Sequence, residues 1–92
     1  MKFEHEKFGS CELADLSQKR MEDFHRAMQG KEKEVLSVFR GDSVRTAIKL
    51  DILVEPKMTV EAVDEAQPAM ISWIAECIMK LFAEAMNLDP LS

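Results

Sequence analysis

Residues 68 to 86 read Pro68-Ala69-Met70-Ile71-Ser72-Trp73-Ile74-Ala75-Glu76-Cys77-Ile78-Met79-Lys80-Leu81-Phe82-Ala83-Glu84-Ala85-Met86, and this stretch decides the fold class. Met70, Ile71, Ile74, Cys77, Ile78, Leu81, Phe82 and Ala85 recur at i, i+3 and i+4, the spacing of one broad helical face, with Trp73 at its edge. The polar side holds only Ser72, Glu76, Lys80 and Glu84. Proline is tolerated at the first helical position, where the missing N–H has no intrahelical partner, so Pro68 starts this helix rather than kinking an earlier one. Asn87 can take the left-handed conformation that ends a helix, and Pro90 prevents its resumption. A helix of ~19 residues is ~28 Å long, roughly the breadth of a small domain.

Working back from Pro68, Thr59 is placed to cap a short helix over 60–66, in which Val60 and Val63 share a face and acidic residues suit the positive helix end. Pro56 disfavours a helical Glu55, which makes Leu53-Val54-Glu55 extended. Before it, Asp42 or Ser43 can cap a helix that begins after Gly41 and turns Val44, Ala47, Ile48 and Leu50 or Ile52 inward. Between Gly30 and Gly41 lies a charged connector whose apolar group, Val35, Leu36, Val38 and Phe39, fits either a strand or a helical turn. Ser17 is a suitable N-cap for a helix in which Met21, Phe24 and Met28 share one face and Gly30 marks the end. Residues 1–15 show weak alternation, since only Phe3 among Phe3, His5 and Lys7 is strongly apolar. Gly9-Ser10 then interrupts the run, so this segment reads as an irregular or short extended arm, or a short strand, whose Phe3 and Phe8 can anchor onto a neighbour or onto the chain's own core. The expected architecture is a single domain over 1–92, with the arm at 1–15 and a mainly α bundle of about four helices over 16–92.

Ninety-two residues allow one hydrophobic core. An apolar share of 47% with 32% charged residues lies far from the composition of disordered chains. The net charge of −5 opposes electrostatic binding to a phosphate backbone. Residues 1–45 carry nine basic and nine acidic side chains, whereas 46–92 carry three and eight, so the acidity is C-terminal. The run Lys31-Glu32-Lys33-Glu34 alternates in sign, as a solvated segment does. No apolar stretch reaches the ~18 residues of a membrane span, and the opening Met1-Lys2-Phe3-Glu4-His5-Glu6 lacks the apolar region of a signal peptide. Two cysteines far apart in sequence, Cys11 and Cys77, read as free thiols in a reducing compartment. A cytoplasmic protein without membrane contact is the expectation.

Catalytic and metal-binding constellations are missing from the pattern. The three glycines are isolated, and no CxxC or HExxH spacing occurs. His5, His25 and Cys11 match no standard zinc spacing. A Ser43 or Cys77 nucleophile would need a histidine base brought from the first 25 residues. Asp64-Glu65 reads as solvated charge on a short helix. No catalytic residue, metal or cofactor is expected. The seven methionines say more, because flexible, polarizable side chains suit both irregular cores and adaptable partner surfaces. The apolar arc of the last helix is wider than one layer of short helices can cover, and leaving two large side chains in water forgoes several kcal/mol. The expectation is a homo-oligomer or a complex with another protein, made through Trp73, Met79, Phe82 and Met86 together with Phe3 and Phe8 of the arm.

In order along the chain stand Val44-Arg45-Thr46-Ala47-Ile48, Val54-Glu55-Pro56, Val60 to Val63-Asp64, Ile71-Ser72-Trp73-Ile74-Ala75, and Ala85 to Asp89-Pro90. Over about half the chain this succession resembles small morphogenesis proteins from the tail modules of long-tailed bacteriophages, those described as tail assembly chaperones. Such families show a V-R-x-A-I-like helix start, an E-P turn, a V-x-x-V-D-like segment, a W-[IL]-A helix and a closing D-P. The sequence departs from them at Leu50-Asp51, where a G-W-like pair often follows the second helix. The resemblance implies an adaptor that holds apolar segments of tail proteins before assembly, in a bacterial host cell, with no catalysis. The alternative is a small homodimeric regulatory module using its second helix for recognition, but Arg45 and Lys49 are the only bases there.

Overall fold

The computed structural model describes residues 1–87. Its elements are β1 (Lys2–His5), β2 (Gly9–Leu13), α1 (Gln18–Ala27), a 3₁₀ turn (Lys31–Lys33), α2 (Leu36–Lys49), β3 (Leu53–Glu55), α3 (Ala62–Glu65) and α4 (Pro68–Ala85). The protein is mainly helical, with a three-stranded antiparallel sheet in the order β1-β2-β3.

The N-terminal segment, expected to be irregular or a lone extended arm, is a β-hairpin that pairs Phe3 with Cys11 and His5 with Gly9. Gly9 takes φ +84°, which lets residues 6–8 turn the chain in the short space between the strands. The Nδ1 of His5 accepts the Lys7 N–H at 2.9 Å and the Phe8 N–H at 3.3 Å, satisfying donors that the ladder cannot reach. Period 2 is present in β2, where Cys11 and Leu13 are fully buried while Glu12 faces water. The partner strand that the hairpin needs comes from Leu53–Glu55, which pairs Leu13 with Leu53 and Glu12 with Glu55. One step on β2 thus spans two on β3, and Val54 is the extra residue of a bulge.

α4 spans 18 residues and forms the floor of the core. Ile71, Ile74, Ala75, Cys77, Ile78, Leu81 and Phe82 are buried on it, as the i, i+3, i+4 stripe requires. Its most extensive neighbour is α2, and β2 also lies against it. Pro68 occupies the first turn with Gln67 as the N-cap. The left-handed residue expected at Asn87 is found instead at Asp51, with φ +58°, where the chain leaves α2. Pro90 lies outside the described residues.

α1 starts as expected, with the Ser17 Oγ accepting the Arg20 N–H at 3.1 Å. Phe24 and Met28 are buried from it, and Gly30 turns the chain at φ +86°. α3 is shorter than the expected 60–66, and its N-cap is Glu61 rather than Thr59, whose Oγ1 accepts the Ala62 N–H at 3.1 Å from the turn before the helix.

α2 differs most from expectation. It begins at Leu36 and runs straight through Gly41, so the 31–40 connector contributes a helical turn rather than a strand. Asp42 and Ser43 lie inside the helix and do not cap it. The Ser43 Oγ–H donates to the Phe39 carbonyl at 2.9 Å, and Asp42 holds Arg45 at 3.0 Å and Lys31 at 3.3 Å. A Cβ at position 41 would sit 3.0 Å from Arg45 Nη1, so the glycine leaves the room in which Arg45 folds back.

Candidate protein-interaction surface

Two apolar areas face outward, and different elements make them. The first joins the N-terminal turns of α2 to the middle of α4. Val35 and Leu36 are 67% and 58% exposed and Met79 is 59% exposed, with Val38 also open to water. Phe39, half-buried, lies between them, and Leu36, Phe39, Arg40, Ala75 and Met79 line a shallow groove between the two helices. Leu36 and Phe39 stand at i, i+3 and Ala75 and Met79 at i, i+4, so each helix presents one short apolar ridge. The rim is acidic at Glu32, Glu34 and Glu76. Arg40 donates to the Ser72 Oγ at 3.4 Å, which turns it along the groove edge.

The second area is the open end of α4, where Met86 is 56% exposed. Met1, Phe3, Lys80, Ala83 and Glu84 surround a depression there, between the outer edge of the hairpin and the helix.

The residues expected at the interface divide into three sets. Met79 and Met86 are exposed as expected. Phe8 and Trp73 are half-buried and pack with each other: the His5 ring lies 4.7 Å from Phe8 and 5.1 Å from Trp73, and Phe8 stacks on Trp73 at 6.1 Å. Lys7 lies 5.5 Å above the Phe8 ring. The hairpin therefore anchors on its own α4, with Trp73 covered on one side by the turn, and half-buried Phe3 packs against the core. Phe82 corrects the expectation. It is a core residue, because α1 lays Phe24 4.6 Å and His25 5.6 Å from its ring.

The apolar ridge of α2 was missing from the expected set. Its signal was Val35, Leu36, Val38 and Phe39 in an otherwise charged connector, an apolar cluster that neither structural option for 31–40 would bury completely. Several large apolar side chains open to water around one helix start are uncommon in a monomer, which makes this a candidate contact surface.

The residues weighed for chemistry are kept apart or already engaged. His5 sits in the aromatic cluster, its Nδ1 accepting and hence its proton on Nε2. His25 lies against Phe82 at 5.6 Å, and Cys11 is buried in β2. Among the described residues no three His, Cys, Asp or Glu side chains group as a metal site would require. Arg45, a candidate base of a recognition helix, pairs with Asp42 and reaches Asp64 of α3. The two carboxylates push its pKa further up, the hydrogen bond that Arg45 donates to Asp64 contributing most. Asp64 is thus a tether between α3 and α2 and not a lone solvated charge. No helix among the described residues is long and apolar enough to cross a membrane. Comparison with protein-family models, with curated proteins and with solved structures finds no match.

Proposed function

We propose that this chain acts by non-covalent contact, as an adaptor or chaperone for another protein, and that the groove between α2 and α4 is where it does so. The observation that carries this reading is exposed Leu36 and half-buried Phe39 of α2 lining one groove with exposed Met79 of α4. Each large apolar side chain withdrawn from water contributes about 1.5 to 3 kcal/mol, so three or four of them suffice for a specific weak complex. The occupant that fits is an amphipathic helix of a partner protein, laid into the groove with its apolar stripe on Leu36, Phe39 and Met79. The acidic rim of Glu32, Glu34 and Glu76 favours Lys or Arg flanking that stripe. Met79 adapts its shape to the partner, as methionine does on surfaces that receive several helices. The resemblance to tail assembly chaperones points to tail proteins of long-tailed bacteriophages as the partner class, held before assembly in the bacterial cytoplasm.

The test is co-expression with a tail-tube and a tape-measure protein of a long-tailed bacteriophage, followed by purification of the complex and light scattering. A defined complex is expected, lost when Leu36→Glu and Met79→Glu are introduced together while the circular dichroism of the chain is unchanged. A chain that stays monomeric at ~100 μM and recovers neither tail protein overturns the reading, since a useful chaperone contact would be populated at that concentration. Self-association through the same groove would appear as a dimer abolished by the same pair of substitutions, and would replace the tail partner with a second copy.

A further inference from the structure

The two cysteines, sixty-six positions apart in the chain, meet in the core. Cys11 on β2 is fully buried and Cys77 on α4 nearly so, both in the one core where β2 packs on α4, and the two thiols lie near enough to perturb each other's ionisation. They are the only cysteines in the sequence, and both are reduced here. β2 is the central strand of the sheet and packs directly on α4. A covalent bond between the two sulfurs would therefore join the sheet to the main helix at their point of contact.

We infer that Cys11 and Cys77 form a modification site, a thiol pair that a small-molecule disulfide converts into an intramolecular disulfide stapling β2 to α4. The exchange balances as two protein thiols and one small disulfide giving one protein disulfide and two small thiols. One protein thiolate attacks a sulfur of the reagent and expels the first small thiolate. The second protein thiolate then attacks the mixed disulfide and expels the other, and the two protons leave on the released thiols.

Order and rate follow from the surroundings. Burial pushes the Cys11 thiol up to about 12, and the neighbouring Cys77 adds to the rise. Burial also raises Cys77, but the neighbouring Cys11 thiol and the nearby Lys80 charge offset part of it. Cys77 is the better first nucleophile and Cys11 the resolving thiol, because attack requires the thiolate. Neither reacts while enclosed, so exchange waits on the hairpin lifting from α4, a local opening of the kind that precedes global unfolding. Once closed, the bond constrains the unfolded chain over a long loop and raises the thermal midpoint by roughly 10 to 20 °C.

The full-length chain is incubated in oxidised glutathione at pH 8, and a second sample is refolded from denaturant in the same buffer so that slow access does not hide the product. Both are quenched in acid, unfolded, alkylated and analysed by mass spectrometry with peptide mapping. The expected product is a monomer that has lost two hydrogens, takes up no alkylating reagent and yields a peptide linking residue 11 to residue 77, with a raised thermal midpoint. Formation should quicken in mild denaturant. Cys11→Ala and Cys77→Ala, where they fold, should each show no rise in midpoint on oxidation. Two alkylated thiols in both samples, glutathione adducts on both cysteines, a chain-to-chain disulfide, or a midpoint lowered by oxidation would each overturn the inference.

Discussion

The two halves of α2 contain similar apolar side chains and end in opposite environments. Val44 and Ala47 are fully buried in the core shared with α4, whereas Val35, Leu36 and Val38, about two to three turns earlier on the same helical stretch, stand in water. Propensity does not separate them, and neither does apolar content. The difference is what lies opposite: α2 packs on α4, α3, β3 and α1, and that packing encloses Val44 and Ala47 while leaving Val35, Leu36 and Val38 open.

Substitutions can break or sharpen this contrast. The largest effect is expected in the buried half. Val44→Ala removes packed methyl groups and leaves a cavity, lowering unfolding free energy by about 2 to 3 kcal/mol in urea titrations. A value below about 1 kcal/mol would mean that the core relaxes there and that the halves are less different than they look.

The core around that half also resists charge, which alkaline titration can measure. Cys11 keeps its proton to about pH 12 in the fold, while an unfolded thiol releases it near the ordinary value of 9.0. Between these values the unfolded state binds fewer protons, so stability is intact below pH 9 and falls as pH rises above it. Cys11 contributes a slope of up to about 1.4 kcal/mol per pH unit. Urea titrations of the reduced chain at pH 7 and pH 10 should show the loss, and Cys11→Ala should show less of it. Equal losses in the two proteins would assign the alkaline sensitivity elsewhere.

At the junction of the halves, Gly41→Ala exchanges a helix-interior glycine for the best helix former, a gain of about 1 kcal/mol. The new methyl must displace the Arg45 guanidinium, whose tie to Asp64 is solvent-exposed and weak and whose tie to Asp42 is partly buried. A net stabilisation of about 0.5 kcal/mol is expected by thermal melting, and a destabilisation would show that Arg45 bridges α2 to α3 more firmly than its exposure suggests. The smallest effect belongs to the open half. Leu36→Ala should change stability by less than about 0.5 kcal/mol, independent of protein concentration. If the cost instead grew with concentration, Leu36 would be covered by a second copy in solution, and the contrast between the halves would belong to the isolated subunit alone.

Sequence pattern reached furthest where one face is apolar over many turns. α4 was legible to within a residue, since Pro68 and a stripe of eight side chains agree, and α1 was legible from Ser17 and Gly30. Leu53–Glu55 was readable as extended because Pro56 restricts the residue before it. The hairpin was not, because its outer strand alternates with only one strong apolar residue, and its third strand is supplied from forty positions away. Gly41 misled for a different reason: glycine between apolar groups reads as a boundary, but here it makes space for an arginine inside a continuous helix. In the candidate surface, Met79 and Met86 were correctly placed outside because they border the stripe. Phe82 was not, because its neighbour Phe24 belongs to another helix, and pairing between helices leaves no trace in periodicity.

The sheet has one further implication, for the order in which a nascent chain can settle. A two-stranded ribbon alone is marginal in water, so residues 1–13 gain a lasting place only after Leu53–Glu55 and α4 have been synthesised. Until then Cys11, Leu13 and Phe3 wait in solvent while α1 and α2 already exist in full. A chain truncated before residue 53 would therefore carry residues 1–13 without their partner strand, and labelling of Cys11 in chains of increasing length would time the moment that segment is taken in.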